Sequence, residues 1–222
     1  MGNPVLAHRD QVTGEAGGVS VDLAHALGDE LSLEVELILF EKAVLSVNAV
    51  RSEEADVGFF AVDPARNEGL RFTAPYVLIE GSYLVPEDSS LVDNAEVDDA
   101  QNRVAVSEGS AYDLFLSREL QVAPVERVAD APAVLESLKA GRVEVAAGIR
   151  QVLETWALED PSLRVLAGRF MVIEQAMGLP AGRGDAAAQA LAEFVERMKS
   201  SGFVADALAR HGVDGASVAP AA

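Results

Sequence analysis

Two long β-rich runs, Tyr76–Val85 and Arg169–Leu179, each carry the chain out of one α/β-alternating set and into another. This arrangement constrains the fold more than any other feature of the sequence. Before the first run, Gly18–Leu27 places Val19, Leu23, Ala26 and Leu27 on one helical face. Leu33–Phe40 alternates as a strand should, Ala43–Val50 carries a Val44, Val47, Val50 stripe, and Asp56–Val62 is an apolar strand. Between the runs lie a strand at Arg103–Val106, helices at Ser110–Leu120 and Asp130–Ala140 (stopped by Gly141), a strand at Val143–Ala147, a helix at Gln151–Leu158 and a strand at Leu163–Leu166. After the second run, Ala188, Leu191, Val195 and Met198 keep a helical period. Gly202 breaks it, Phe203–Arg210 forms a last helix, and the tail Gly215–Ala222 is expected to fray.

The pattern predicts an α/β protein with parallel sheets, divided into two lobes: residues 1–84 with 179–222, and residues 85–178. The turn-prone, acidic stretch from Pro86 to Asp99 marks a candidate hinge. A crevice between hinged lobes is a preferred place for a small ligand.

Composition narrows the function. The 222 residues suffice for two lobes, each with its own core. A net charge of −19 lacks the basic footprint that nucleic acid requires and disfavours anionic membranes. With no cysteine, thiolate chemistry is excluded. No apolar run approaches the roughly 20 residues of a membrane span. Met1–Asp10 lacks the basic-then-apolar pattern of a secretion signal. His8, His25 and His211 are scattered without metal-ligand spacing, and no nucleophile elbow or phosphate loop is present. No catalytic residue, metal or cofactor is therefore expected.

What remains points to binding. The strand Asp56–Val62 runs into the turn Asp63-Pro64, which delivers Arg66 at the strand's C-terminal end. That is where open α/β sheets bind ligands. Arg66 there either pairs with Asp63 or Glu68, or offers its fork to a ligand carboxylate. Ser110 caps a helix whose Asp113 completes a capping-box-like motif; the same helix start, through Ser110 and Ala111, is a candidate anion site. Arg150 follows Gly148 at another strand end. Glu80 and Glu174 lie inside apolar runs, where a carboxylate must meet solvent, a partner or a ligand ammonium. Phe40 and Phe60 read as core or as ligand platform.

Taken together, Gly18-Val-Ser-Val-Asp-Leu-Ala, Asp56-Val-Gly-Phe, Pro64-Ala-Arg66, Phe72-Thr-Ala-Pro-Tyr76, Arg103–Ser110, Leu138–Glu144 and Met198-Lys-Ser-Ser-Gly-Phe-Val-Ala resemble the polar-amino-acid family of substrate-binding proteins of bacterial ABC importers, with the type II periplasmic fold. The resemblance implies that Arg66 clamps a solute's carboxylate, helped by the backbone near Ala61 and by Ser110 in the other lobe. Asn3, Phe40, Phe60, Ala61, Arg66, Glu80, Ser110, Ala111, Arg150 and Glu174 are the expected ligand contacts. Where the family places an aspartate for the α-ammonium, this chain has Gly148, which favours a carboxylate-bearing solute without that contact or one whose amine meets Glu174 or Glu80. The resemblance further implies an ABC permease partner and a periplasmic or extracytoplasmic location. It implies too that the first strand of lobe 1, near Asn3-Pro4, is lacking, which leaves an edge open to homodimerisation. Two alternatives stand beside this reading. One is an enzyme on the same scaffold, with Glu174 as general acid for dehydration of a cyclic acid. The other is a sensor or degenerate binding domain.

Overall fold

The computed structural model describes residues 3–10 and 12–222. In chain order the elements are β1 (His8–Arg9), β2 (Ala16–Gly17), α1 (Val19–Leu31), α2 (Ala43–Arg51), β3 (Gly58–Ala61), β4 (Leu70–Phe72), β5 (Val77–Pro86), β6 (Val104–Ser107), α3 (Ala111–Glu119), β7 (Val125–Val128), α4 (Ala131–Lys139), β8 (Val145–Ile149), α5 (Arg150–Glu159), β9 (Leu163–Val165), β10 (Met171–Pro180), α6 (Gly184–Ser200), α7 (Phe203–Arg210) and β11 (Ser217–Val218). The chain forms two compact units. Unit 1 takes the residues up to Leu78 and Glu174–Ala222, and unit 2 takes Ile79–Ile173. Both passages between units therefore fall inside β5 and β10, several residues earlier than the expected divisions. The Pro86–Asp99 stretch lies within unit 2 and is not the linking segment.

In unit 1, β10 runs antiparallel between β3 and β4, with Gly178 opposite both Gly58 and Phe72. These recorded pairs are antiparallel, against the parallel sheet expected from the alternation. Phe60 packs with Val47, Val50 and Leu70 beneath α2, and Phe72 meets it edge-on at 6.0 Å between ring centres. Burying four such side chains contributes about 1.5–3 kcal/mol each. On the opposite face of β3, Phe59 meets Tyr76 edge-on, and the Tyr76 hydroxyl shares a buried hydrogen bond of 3.0 Å with Ser20 on α1.

The expected strand at Leu33–Phe40 does not form: the segment is extended but belongs to no ladder. Its alternation fits a strand, yet among the described residues no strand pairs with it. The tail is also not frayed. β11 pairs with Val77 and Leu78, Ala219 N donates to Tyr76 O at 3.1 Å, and the Ala219 side chain is buried.

Unit 2 carries the parallel arrangement. β6 lies between β7 and β8, parallel to both, while β5 joins β8 and β9 antiparallel. Leu84, Ala105, Val134, Leu138, Ala146, Leu153 and Leu163 form its core, with Trp156 packed at the margin. Gly141 ends α4 at φ 65°, a left-handed turn that a residue with a Cβ resists.

Candidate functional site

In unit 1 the site is built at the C-terminal end of β3. Val62 N donates to Glu174 O at 2.8 Å, and Ala61 faces Gln175 across the ladder. Antiparallel pairing alternates, so residues 58, 60 and 62 bond to β10 while the peptide groups of Phe59 and Ala61 point away from it. The chain then turns. Asp63 accepts Ala65 N at 2.8 Å, Arg66 N donates to Asp63 O at 2.9 Å, and the resulting 3₁₀ turn over Pro64–Arg66 brings the guanidinium back to the strand end. Arg66 Nη1 donates to Ala61 O at 2.9 Å.

The Arg66 side chain is buried, at 5% exposure, and Asp63 is buried beside it at 3%. Burial pulls the guanidinium below its usual range, and the Asp63 carboxylate opposes that shift. Of the two settings expected for Arg66, the structure shows an internal one: a buried cation held by a strand carbonyl and facing an aspartate. Nη1 therefore lies on the side of β3 away from β10, the side to which the Ala61 N–H also points. A guanidinium and a peptide N–H on one side of a strand end suit a carboxylate.

Asn3 holds the turn before β1: its Oδ1 accepts Val5 N at 3.2 Å, while its Nδ2 is buried without an acceptor. Phe40 is half-buried at the end of the extended run, and the Glu174 side chain is exposed on β10. Phe60 is a correction. At 2% exposure it belongs to the core under α2, because even-numbered side chains of β3 face that helix. The half-buried ring on the other face is Phe59.

In unit 2, α3 begins at Ser110. Its Oγ accepts Asp113 N at 3.0 Å, while Asp113 Oδ2 accepts Gly109 N at 2.8 Å, one residue before the cap, and Ser110 N donates instead to Ser107 O, so the expected capping box is not closed. Arg127 Nε lies 2.9 Å from Asp113 Oδ1, and Ser117 and Arg127 complete the cluster. The capping carboxylate is thus turned back toward Gly109 and Arg127. The N–H groups of Ala111 and Tyr112 make no recorded hydrogen bond. Residue 115 lies one turn below Ala111 on the same helical face. There Phe115, half-buried, meets Phe170 at 6.1 Å, and Phe170 stacks on Tyr83 at 4.4 Å. Gly81 makes room for this stack: a Cβ there would come within 2.9 Å of the Phe170 ring. The sequence reading missed this aromatic group because its members, Tyr83, Phe115 and Phe170, lie far apart in the chain; the glycine inside a β-rich run was the available signal.

Glu80 and Arg150 are brought together by the fold, so that of the settings expected for Glu80 the structure shows a partner. Glu80 Oε2 accepts Arg150 Nε at 2.7 Å and Oε1 accepts Arg169 Nη1 at 2.6 Å, while Arg150 also donates to Gly168 O and Glu154. The Arg169 hydrogen bond is the main cause holding the Glu80 carboxyl below its usual range. Glu80, inside β5, and Arg150, at the start of α5, are opposite charges in a half-buried setting and neutralise each other before a ligand arrives. Among the described residues, no group of three or more His, Asp or Glu side chains is placed to hold a metal ion, and no helix is long and apolar enough to cross a membrane.

Comparison with known proteins places this geometry. A solute receptor for L-cysteine from Neisseria gonorrhoeae superposes with a TM-score of 0.80 at 23% identity, over 96% of this chain and 87% of that one. The GluR0 ligand-binding core in complex with L-glutamate gives 0.78 at 21%, over 95% and 94%. An amino acid ABC transporter substrate-binding protein from Streptococcus pneumoniae, bound to L-arginine, gives 0.75 at 19%, over 93% and 89%. These likenesses show the two-lobed α/β fold of periplasmic binding proteins. No curated protein matches the sequence. The family model for bacterial extracellular solute-binding proteins, family 3, matches residues 3–213, nearly the whole chain, and the protein belongs to that family of binding proteins rather than to an enzyme class.

Proposed function

We propose that this protein captures a small carboxylate-bearing solute, an amino acid or a related organic acid, outside the cytoplasm and delivers it to an ABC permease. One observation carries the reading: the buried Arg66 guanidinium lies on the outward side of β3, with the Ala61 N–H directed to that same side. Two of the compared structures were solved with L-arginine or L-glutamate bound, which supports a carboxylate as the common handle.

In this proposal the Ala111 and Tyr112 N–H groups and the Ser110 hydroxyl of unit 2 are further donors for an anionic group, at the start of a helix. The aromatic pair Phe115 and Phe170 supplies a surface for an apolar body. Glu80 is satisfied by two arginines, which leaves the exposed Glu174 as the candidate partner for any ammonium group.

The test is calorimetry with a panel of amino and organic acids, chosen from whatever mass spectrometry finds co-purifying with the protein. Arg66→Ala should weaken binding at least about tenfold, as expected for losing a charge-assisted contact worth about 1.5–3 kcal/mol. Unchanged affinity in a folded variant would remove Arg66 from the site.

A further inference from the structure

Asp63, at 3% exposure, is a buried carboxylate in the turn that presents Arg66. The turn itself needs only a neutral acceptor: Asp63 Oδ1 takes Ala65 N at 2.8 Å, a bond that asparagine or serine would make as well. A full charge at that place costs desolvation that capping alone does not offset. What offsets it is the guanidinium. Arg66 is buried at 5%, its peptide N–H donates to Asp63 O at 2.9 Å, and the Asp63 charge counters the downward pull of burial on the Arg66 pKa. Together the two buried side chains carry no net charge.

With Arg66 as the carboxylate's partner, the role proposed above, that neutrality bears on which solutes fit. A carboxylate reaching Arg66 meets a buried cation that is already balanced, so a second negative group on the same solute has nothing to set against it. The other charges of unit 1 do not make up the difference. Arg71, Arg183, Arg197 and Arg210 are each matched by an aspartate or glutamate. Glu174, whose carbonyl bonds Val62 N, is exposed on β10, and the whole molecule carries −19. An ammonium on the solute has the opposite effect: it offsets the carboxylate and is attracted by Asp63.

We propose that Asp63 is a specificity-determining residue. It acts as a charge filter that admits carboxylate solutes of zero or positive net charge and turns away those of net negative charge, acidic amino acids among them.

The test is calorimetry on the intact protein with probes paired by shape and differing in charge: L-glutamine with L-glutamate, and L-asparagine with L-aspartate. Asp63→Asn keeps an acceptor for Ala65 N. It should bind L-glutamate or L-aspartate at least about tenfold more tightly than the parent does, while affinity for the two amides shifts by less than about threefold. Asp63→Ser, with a shorter acceptor, makes the same comparison should Asp63→Asn not fold. A gain separates a charge filter from structural support, whose loss weakens the binding of every probe. Three results overturn the proposal: no gain for either acid in a folded variant, an equal gain for the amides, or a parent that binds the acids as tightly as the amides. Arg66→Ala in the same panel tells the two levels apart. If it leaves the affinity of every bound probe unchanged, the role of Arg66 fails; if it weakens binding while Asp63→Asn gains nothing, only the filter fails.

Discussion

At the level of single side chains, Asp160 links structure to pH. Its carboxylate pairs with Lys139 Nζ at 2.5 Å and accepts the hydroxyl and N–H of Ser162, tying the end of α4 to the turn before β9. The Lys139 hydrogen bond, followed by those of Ser162, lowers its pKa from 3.8 to about 2. A depressed carboxyl stabilises the folded state above the unfolded pKa, and the contribution fades as pH falls through the folded one. Denaturation of Asp160→Asn against the parent should therefore show a deficit at neutral pH that disappears near pH 2. An equal deficit at both would make the loss steric rather than ionic. Lys199 illustrates a different use of charge. Its side chain is buried, and Nζ donates to Pro75 O at 3.3 Å and Pro220 O at 2.8 Å while pairing with Glu196. Lys199→Met keeps the aliphatic stem but leaves two carbonyls unpaired, so urea titration should find it less stable by roughly 1–3 kcal/mol.

At the level of elements, that lysine helps hold the C-terminal strand β11 against β5. Removing residues 215–222 should speed hydrogen exchange at Tyr76–Leu78, where the tail now bonds, and leave the β6–β8 region of unit 2 unchanged. Faster exchange everywhere would mean the strap supports global rather than local structure. The tail was illegible in the sequence because its small residues show no periodicity; what fixes it is a lysine at position 199 and a strand edge formed by residues 77–78. The helices α1 to α7 were legible, since each buries a stripe at helical spacing, and so were β3, β5, β6, β8, β9 and β10 as apolar runs. The short strands β4 and β7 were not read: each carries charged residues, Arg71 in one and Glu126 with Arg127 in the other, and stands out as no apolar run. Leu33–Phe40 misled for the opposite reason: alternation is a property of one strand, whereas a ladder needs two. The places of Arg66 after a strand end and of Ser110 at a helix start were legible from position alone. The mutual engagement of Glu80 and Arg150 was hidden because 70 residues separate them.

At the level of the whole molecule, the net charge of −19 opposes the approach of an anion. For an anionic solute, the association rate in stopped-flow should rise with ionic strength, the reverse of electrostatic steering. A rate that falls with salt would show that local cations outweigh the overall field. The single tryptophan, Trp156, packs on the unit 2 core and reports that unit's unfolding. Saturating solute at about 100 times its Kd should add about 2.7 kcal/mol to stability seen by this fluorescence. Arg66→Ala should reduce that gain. A gain that ignores Arg66 would remove Arg66 from the site.

Unit 2 is one uninterrupted segment, whereas unit 1 is completed only by Glu174–Ala222. On the ribosome, all of unit 2's strands emerge before β10, the strand that both β3 and β4 must pair with. Nascent chains would thus carry a finished second unit while the first still waits, its early helices without a sheet to cover until translation is nearly over.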